Sequence, residues 1–220
     1  MQYFAPSWVI SIVHDGDKTA GWRRLQKSLQ VHDTVLMDDC QHMAAAQLDH
    51  RAFAPLFHRY HARVFAFVAA RLGDQTEAED VTSETFRRAL TGLASFHCHH
   101  EGSFAAWLFR IAHNEVLRQY QRNPANRMIA LDDLPDLSAD TPDIESDLQR
   151  RQQFAQIRGF ISHLSPRRQE IITLRFYGEM RNNEIAAVLG LDERTVASHL
   201  CRAIDELQTM LQQSMQDETR

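Results

Sequence analysis

The 220 residues have little of what cross-links small folds or turns a chain sharply: three cysteines, eight glycines and six prolines. Cys40, Cys98 and Cys201 stand singly with no Cys-x-x-Cys spacing, which argues against a disulfide scaffold and fits a reducing cytosol. With few turn residues and scarcely any period-2 apolar alternation, a β-rich fold is not expected, and the abundance of Leu, Ala, Arg, Gln and Glu favours helix. No apolar run is long enough to cross a bilayer. The opening MQYFAPSWVISIV lacks a basic start and a clear small-residue cleavage site, so it does not read as a signal peptide. A glycine-rich phosphate loop, a nucleophile paired with a base and a catalytic metal pattern are also missing, so neither an enzyme nor a cofactor is expected.

Lysine is nearly absent as well: Lys18 and Lys27 stand against 22 arginines. Arginine's planar fork suits phosphate gripping and base stacking. The formal charge of -5, however, argues against tight binding to nucleic acid by the chain alone, since phosphate attraction supplies most nonspecific affinity. The distribution is more informative. Residues 51–122 hold nine Arg against seven acids, residues 123–152 three against seven, and residues 153–211 seven against seven.

Residues 1–48 show no sustained periodicity and read as a poorly ordered extension whose residues 1–42 could be removed at little cost. Met37 and Met43 lie just before the first strong helical pattern, which makes a native start there one expectation. From Leu48 onward, Phe53, Leu56, Phe57, Tyr60, Val64, Phe67 and Val68 recur at three- and four-residue steps, with Pro55 in the first turn and Gly73 at the end. Asp74 caps a second helix that turns Val81, Phe86, Ala89, Leu90 and Leu93 inward. A third, SFAAWLFRIAHNEVLRQYQR, sends Phe104, Trp107, Leu108, Ile111, Val116 and Leu117 to the core and leaves Arg110, His113, Asn114, Arg118 and Arg122 on the other side. The acidic, proline-bearing stretch over 123–149 reads as a flexible linker in which Asp132, Asp133, Asp136, Asp140 and Asp143 are solvated. Beyond it, Phe154, Ile157, Phe160 and Ile161 mark a helix, and Ser165-Pro166 starts another. A short helix, a Gly190 turn and an Asp192-capped helix with Val196, Leu200, Ala203, Ile204, Leu207 and Leu211 inside then form a helix-turn-helix pattern, which an ordinary helical hairpin would share. Residues 213–220 form a tail.

Three of these stretches, AEDVTSETFRRAL, FAAWLFRIAHN and LSPRRQEIITLRFYGEMRNNEIAAVLGLDERTVASHLCRA, resemble regions 2 and 4 of bacterial sigma factors of the sigma-70 family, in its small extracytoplasmic function group. The resemblance covers about 50–122 and 150–211. It implies an all-α protein of two small helical domains, sigma region 2 over 49–122 and helix-turn-helix sigma region 4 over 150–212, joined by the flexible acidic linker. It further implies a cytoplasmic promoter-specificity subunit, with core RNA polymerase and promoter DNA as partners and a regulated or stress response as the setting. The family often has an anti-sigma factor too.

Carried over residue by residue, the resemblance puts Glu79, Asp80, Thr82, Glu84, Thr85, Arg87 and Arg88 on the helix that meets polymerase. Arg110, His113, Asn114, Arg118 and Arg122 would face the melted minus-ten strand, with Trp107 and Phe109 at least partly in packing. The loop FHCHHEG falls where an extruded minus-ten base is bound, which gives His97, His99 and His100 a stacking role. Arg194, Thr195, Ser198, His199, Cys201 and Arg202 would read the minus-thirty-five element. Family members commonly carry a basic residue at Ala197 and a larger one at Cys201, which shifts the burden to Ser198, Arg202 and Arg194, with His199 a further candidate. Adjacent residues of the loop cannot all converge on one metal ion, and only a distant ligand such as Cys40 or His42 could complete a site. Two other classes are to be weighed against this reading: an autonomous helix-turn-helix regulator with 50–122 as its sensor or dimerisation domain, and a metal- or redox-responsive module built on the His/Cys loop.

Overall fold

The computed structural model describes residues 37–98, 102–123 and 158–218. Helices start and stop in it largely where local chemistry directs. In the first half, α1 (Met37–Leu48) leads through a 3-10 turn at His50–Phe53 into α2 (Ala54–Leu72), which carries a proline in its first turn and ends at Gly73 in the left-handed region, φ 77°. Asp74 then caps α3 (Gln75–Gly92), its carboxylate accepting from the Glu77 amide at 2.7 Å. After a 3-10 turn at Leu93–Ser95 comes α4 (Ser103–Arg122). The second half comprises helical residues 158–163, α5 (Pro166–Phe176), α6 (Asn182–Leu189) and α7 (Glu193–Glu218). Ser165 stands at the cap of α5 as expected, without a side-chain cap bond. No strand occurs among the described residues, in keeping with the all-α expectation.

Apolar stripes at helical spacing hold the first half together. Phe104 is the hub: it is 1% exposed, with the rings of Tyr60, Phe96 and Phe53 edge-on at 5.2, 6.1 and 6.2 Å. Burying a side chain of this size contributes about 1.5–3 kcal/mol, and truncating it to alanine would cost about 3–5 kcal/mol. Three residues expected inside lie instead at the margin, since Phe57, Leu90 and Leu117 are each 37% exposed.

Residues 37–48, expected to belong to a poorly ordered extension, are helical and packed. Met43 and Ala46 are fully buried, and the buried Asp39 carboxylate accepts from Arg59 and from the Tyr60 hydroxyl on α2. Two small buried contacts and one polar anchor are too sparse to register as a periodic stripe. The tail assigned to 213–220 is likewise helical through Glu218. The linker over 123–149, apart from Asn123, and the rest of the extension lie outside the described residues, as do Phe154 and Ile157.

The apolar cluster continues from one half into the other. α4 packs on α6 and α2 meets α5. At the seam Phe109 is buried beside Phe67, ring centroids 5.8 Å apart, and faces Gly178. A Cβ at Gly178 would stand 2.6 Å from the Leu174 carbonyl oxygen and 3.0 Å from the Phe109 ring, so only glycine allows this approach. Beside it, Arg63 of α2 donates to the Gly178 carbonyl twice, at 2.6 and 3.1 Å, and to the Glu179 carbonyl at 3.1 Å.

Candidate nucleic-acid interface

The helix-turn-helix is built from α6, Gly190 and α7. Gly190 takes φ 66° and ψ 38°, a left-handed conformation that costs glycine little, and its amide closes α6 on the Ala186 carbonyl. Asp192 opens α7 by accepting from the Arg194 amide at 2.8 Å. Once Val196, Leu200, Ala203 and Leu207 are buried at 0–3% exposure, helical geometry fixes the outward set. Arg194, Thr195, Ser198, Cys201 and Arg202 are exposed, an unbroken polar strip on the first turns of α7. His199 is not part of that strip: it is half-buried, with Nδ1 shielded from solvent, because helical spacing sets it one turn from both buried Val196 and buried Ala203. Ala197 is also half-buried.

The arginine-bearing face of α4 is divided. Asn114, Arg118 and Arg122 are exposed as expected. Arg110 is exposed too but donates to the Ala187 carbonyl of α6, whereas His113, only 9% exposed, lies 3.3 Å from the Glu170 carboxylate of α5. Burial tends to raise the Glu170 carboxyl, but the hydrogen bond and charge of His113, with Arg71 and Arg167, bring it below its ordinary value. His113 was expected on the exposed side of α4, and docking of α5 buries it instead. Phe109 is fully buried and Trp107 half-buried against Phe96, as the packing role expected for them requires. His97 is exposed, while His99 and His100 lie outside the described residues.

On α3, Glu79, Asp80 and Arg87 are exposed, and Glu84 and Arg88 are half-buried. Glu84 accepts from both arginines, from Arg87 at 2.6 Å and from Arg88 at 2.7 Å. The Arg87 hydrogen bond, joined by that of Arg88 and by the charges of both arginines, outweighs the opposing effect of burial and holds the Glu84 carboxyl down at about 2. Thr82 and Thr85 were expected on the same surface and are not there. They are 1% and 0% exposed, and the Thr85 hydroxyl donates to the Val81 carbonyl one turn back. Both lie on the buried stripe with Ala78, Val81 and Phe86, and threonine's small, half-apolar side chain tolerates that place. Leu90, expected inside, joins the outer face.

Two side chains that the sequence reading passed over organise these surfaces. Glu115 is buried to 6% exposure, yet pairs with Arg88 of α3 at 2.9 Å and with Arg118 of its own helix. It thereby couples the α3 face to the free part of the α4 face. Arg63 latches the halves, as described above. Their signal was visible as a charged residue set within an apolar stripe, since Glu115 adjoins Val116 and Arg63 adjoins Val64.

Among the described residues, no three His, Cys, Asp or Glu side chains are grouped to hold a metal ion. Nor is any described helix long and apolar enough to cross a membrane.

Comparison with known proteins accounts for both halves. The family model "Sigma-70 region 2" matches residues 56–125, and "Sigma-70, region 4" matches residues 154–207. The chain is 30% identical to the RNA polymerase sigma factor CnrH of Cupriavidus metallidurans, over 79% of this chain and 95% of that protein. It is 28% identical to the ECF RNA polymerase sigma factor BldN of Streptomyces coelicolor, over 80% of this chain and 66% of that protein. It is 29% identical to the RNA polymerase sigma factor YlaC of Bacillus subtilis, over 74% and 94%. Among solved structures, CnrH in complex with the cytosolic domain of CnrY matches with a TM-score of 0.60 and 26% identity, over 79% of this chain and 97% of that one. The sigma factor RpoE of Bartonella quintana, solved with the anti-sigma factor NepR, shares the fold at a TM-score of 0.54 and 23% identity, over 73% and 96%.

Proposed function

The chain belongs to the sigma-70 family of RNA polymerase sigma factors, in its extracytoplasmic function group, and from that membership we infer how its surfaces divide the work of starting transcription. It is a binding subunit rather than an enzyme: it joins core RNA polymerase and directs it to promoters, in the cytoplasm and as part of a regulated or stress response. The observation that carries the assignment of surfaces is the exposed polar strip of α7 over a buried apolar stripe. That strip enters the major groove of the minus-thirty-five element with Arg194, Thr195, Ser198, Cys201 and Arg202. The exposed Asn114, Arg118 and Arg122 of α4, with His97, meet the melted minus-ten strand, where cationic grooves and planar groups hold single-stranded DNA. Glu79, Asp80, Glu84, Arg87, Arg88 and Leu90 on α3 form the polymerase-facing surface.

The arrangement described here is a closed one. With His113 buried against α5 and the exposed Arg110 engaged by the Ala187 carbonyl of α6, the minus-ten face is incomplete until the halves separate. The closed chain is therefore the resting form, and polymerase takes the open one. An anti-sigma factor, such as NepR is for the Bartonella relative, would act on the same equilibrium by favouring the closed form.

The test is transcription from a promoter library by core polymerase with and without the protein. The reading expects a promoter set that appears only with both, and loss of open complexes without loss of core binding in the double variant Arg118→Ala, Arg122→Ala. A sharp footprint on promoter DNA by the protein alone would replace it with an autonomous helix-turn-helix regulator, since a net charge of -5 leaves little phosphate attraction to hold DNA unaided.

A further inference from the structure

Cys40 and Cys98 stand 58 residues apart in sequence, and the fold joins them in a disulfide, their Cα atoms 5.8 Å apart. That separation lies in the range a bridge requires without moving the backbone. Both residues are half-buried, so a small solvent-borne reagent can reach them, whereas Cys201 is a free, exposed thiol in the other half.

The surroundings show what the bond holds. Cys40 follows Asp39, whose carboxylate accepts from Arg59 and Tyr60, so this end of α1 is fixed to α2. Near the other end of α1, Gln47 Nε2 donates to the Leu93 carbonyl at 2.9 Å and to the Phe96 carbonyl at 2.8 Å. Phe96 itself is buried against Phe104 and Trp107. The chain is thus held up to Phe96 whatever the state of the thiols, and it leaves the core at the exposed His97. A bond to Cys98 adds a second fixed point before α4 opens after Gly102, and it connects that point to an anchored helix.

We propose that Cys40 and Cys98 form a reversible thiol–disulfide pair, oxidised by hydroperoxides, that ties the chain at His97 and Cys98 to α1 and so lowers capture of the melted promoter strand. This rests on the assignment of His97 and the free face of α4 to the minus-ten strand. One thiolate attacks the peroxide O–O bond and becomes a sulfenic acid, with release of an alcohol or water. The second thiol then attacks that sulfur, forms the S–S bond and expels water, so two electrons pass from the two sulfurs to the peroxide. A small dithiol reverses the step by exchange and is itself oxidised. A disulfide in a reducing compartment is usually transient and redox-sensing, which suits a pair placed beside a binding surface rather than within a core. Contact with the strand requires His97 to adjust to DNA, and a bond from the adjacent Cys98 to the anchored α1 restrains it.

The full-length protein, treated with hydrogen peroxide and then with dithiothreitol, is assayed with core polymerase on the strongest promoter from the library above, open complexes being read by permanganate reactivity of the minus-ten thymines. Peptide mapping without reductant should recover one Cys40–Cys98 bond per monomer after peroxide. Oxidation should raise Tm by roughly 5–10 °C and lower open-complex formation at least about five-fold, both reversed by the dithiol, with core binding unchanged. Cys40→Ser and, as a second route, Cys98→Ala should show neither response. Equal open-complex formation by the oxidised and reduced proteins would overturn the proposal, as would the same peroxide loss in both variants. Failure of the reduced protein to direct transcription with core would instead remove the functional assignment beneath it, while the peptide map and Tm would still report whether the pair cycles.

Discussion

Arg63→Met should loosen the docking of the two halves without disturbing either core. The Arg63 side chain is 13% exposed and makes three hydrogen bonds to the Gly178 and Glu179 carbonyls, with Glu179 completing an ion pair at 3.5 Å. Its guanidinium also lies 5.0 Å from the Tyr60 ring centroid and 5.8 Å from that of Phe109. A hydrogen bond from a charged donor is worth about 1.5–3 kcal/mol, but three sharing one guanidinium do not add in full. The Glu179 carboxylate is 43% exposed, so its ion pair contributes at most about 1 kcal/mol. Methionine keeps an apolar stem on Tyr60 and Phe109, leaving a net loss of about 2–4 kcal/mol from the closed form alone. That moves the closed-to-open ratio roughly 30- to 1,000-fold. Small-angle scattering should show a larger radius of gyration, and a fluorophore pair with one dye in each half should lose transfer efficiency, at unchanged helical content. Less protein should then be needed to saturate core polymerase. Scattering and transfer efficiency identical to wild type would refute the latch, and with it the reading of the closed form as held by Arg63.

The helices and the helix-turn-helix were legible in the sequence because each carries a local signal: Asp74 and Asp192 as caps, Gly73 and Gly190 as stops, and stripes of large apolar residues between them. The exposed set on α7 was legible for the same reason, since burying Val196, Leu200 and Ala203 leaves Arg194, Ser198 and Arg202 no other direction. What was not legible depends on residues distant in sequence. Thr82 and Thr85 look polar in a list but occupy the buried stripe of α3. His113 faces outward on its own helix, and becomes covered only because α5 brings Glu170 to it from 57 residues away. α1 has a weak stripe because its attachment is a polar anchor at Asp39 plus two buried side chains. Cys40 and Cys98 read as isolated thiols until α1 and the turn after α3 were seen to pack together.

Three further perturbations test these points. Removal of residues 1–42, expected from sequence to be harmless, takes away Asp39 and leaves the fully buried Tyr60 hydroxyl without its acceptor, so urea unfolding should show a loss of about 1–3 kcal/mol or more; an unchanged midpoint and slope would restore the sequence expectation. Glu84 is held at about 2 in the fold against an ordinary value near 4.5, so its stabilisation is fully present above pH 4.5 and is lost as pH falls toward 2; Tm of wild type and Glu84→Gln should converge over that interval, and a constant gap would refute the pairing. The last perturbation concerns recognition itself. Arg202 is exposed one helical turn beyond Ser198, on the strip that the buried Leu200 and Ala203 turn outward, and its side chain is long enough to reach past the phosphates to a base edge. Arginine there can grip guanine O6 and N7 with two hydrogen bonds, worth about 1–3 kcal/mol of discrimination against another base. Arg194 stands two turns earlier at the start of α7, beside the Asp192 cap, where a phosphate contact is the geometric expectation. The two roles have different signatures. Arg202→Ala should relax preference at one base pair and leave other positions intact, whereas Arg194→Ala should weaken all promoters about equally and reduce the salt slope by about 1. Transcription by each variant across promoters changed one base at a time in the minus-thirty-five element distinguishes them. An unaltered base preference and activity for Arg202→Ala would mean that α7 does not read the groove through this residue, and the exposed strip would have to be reassigned.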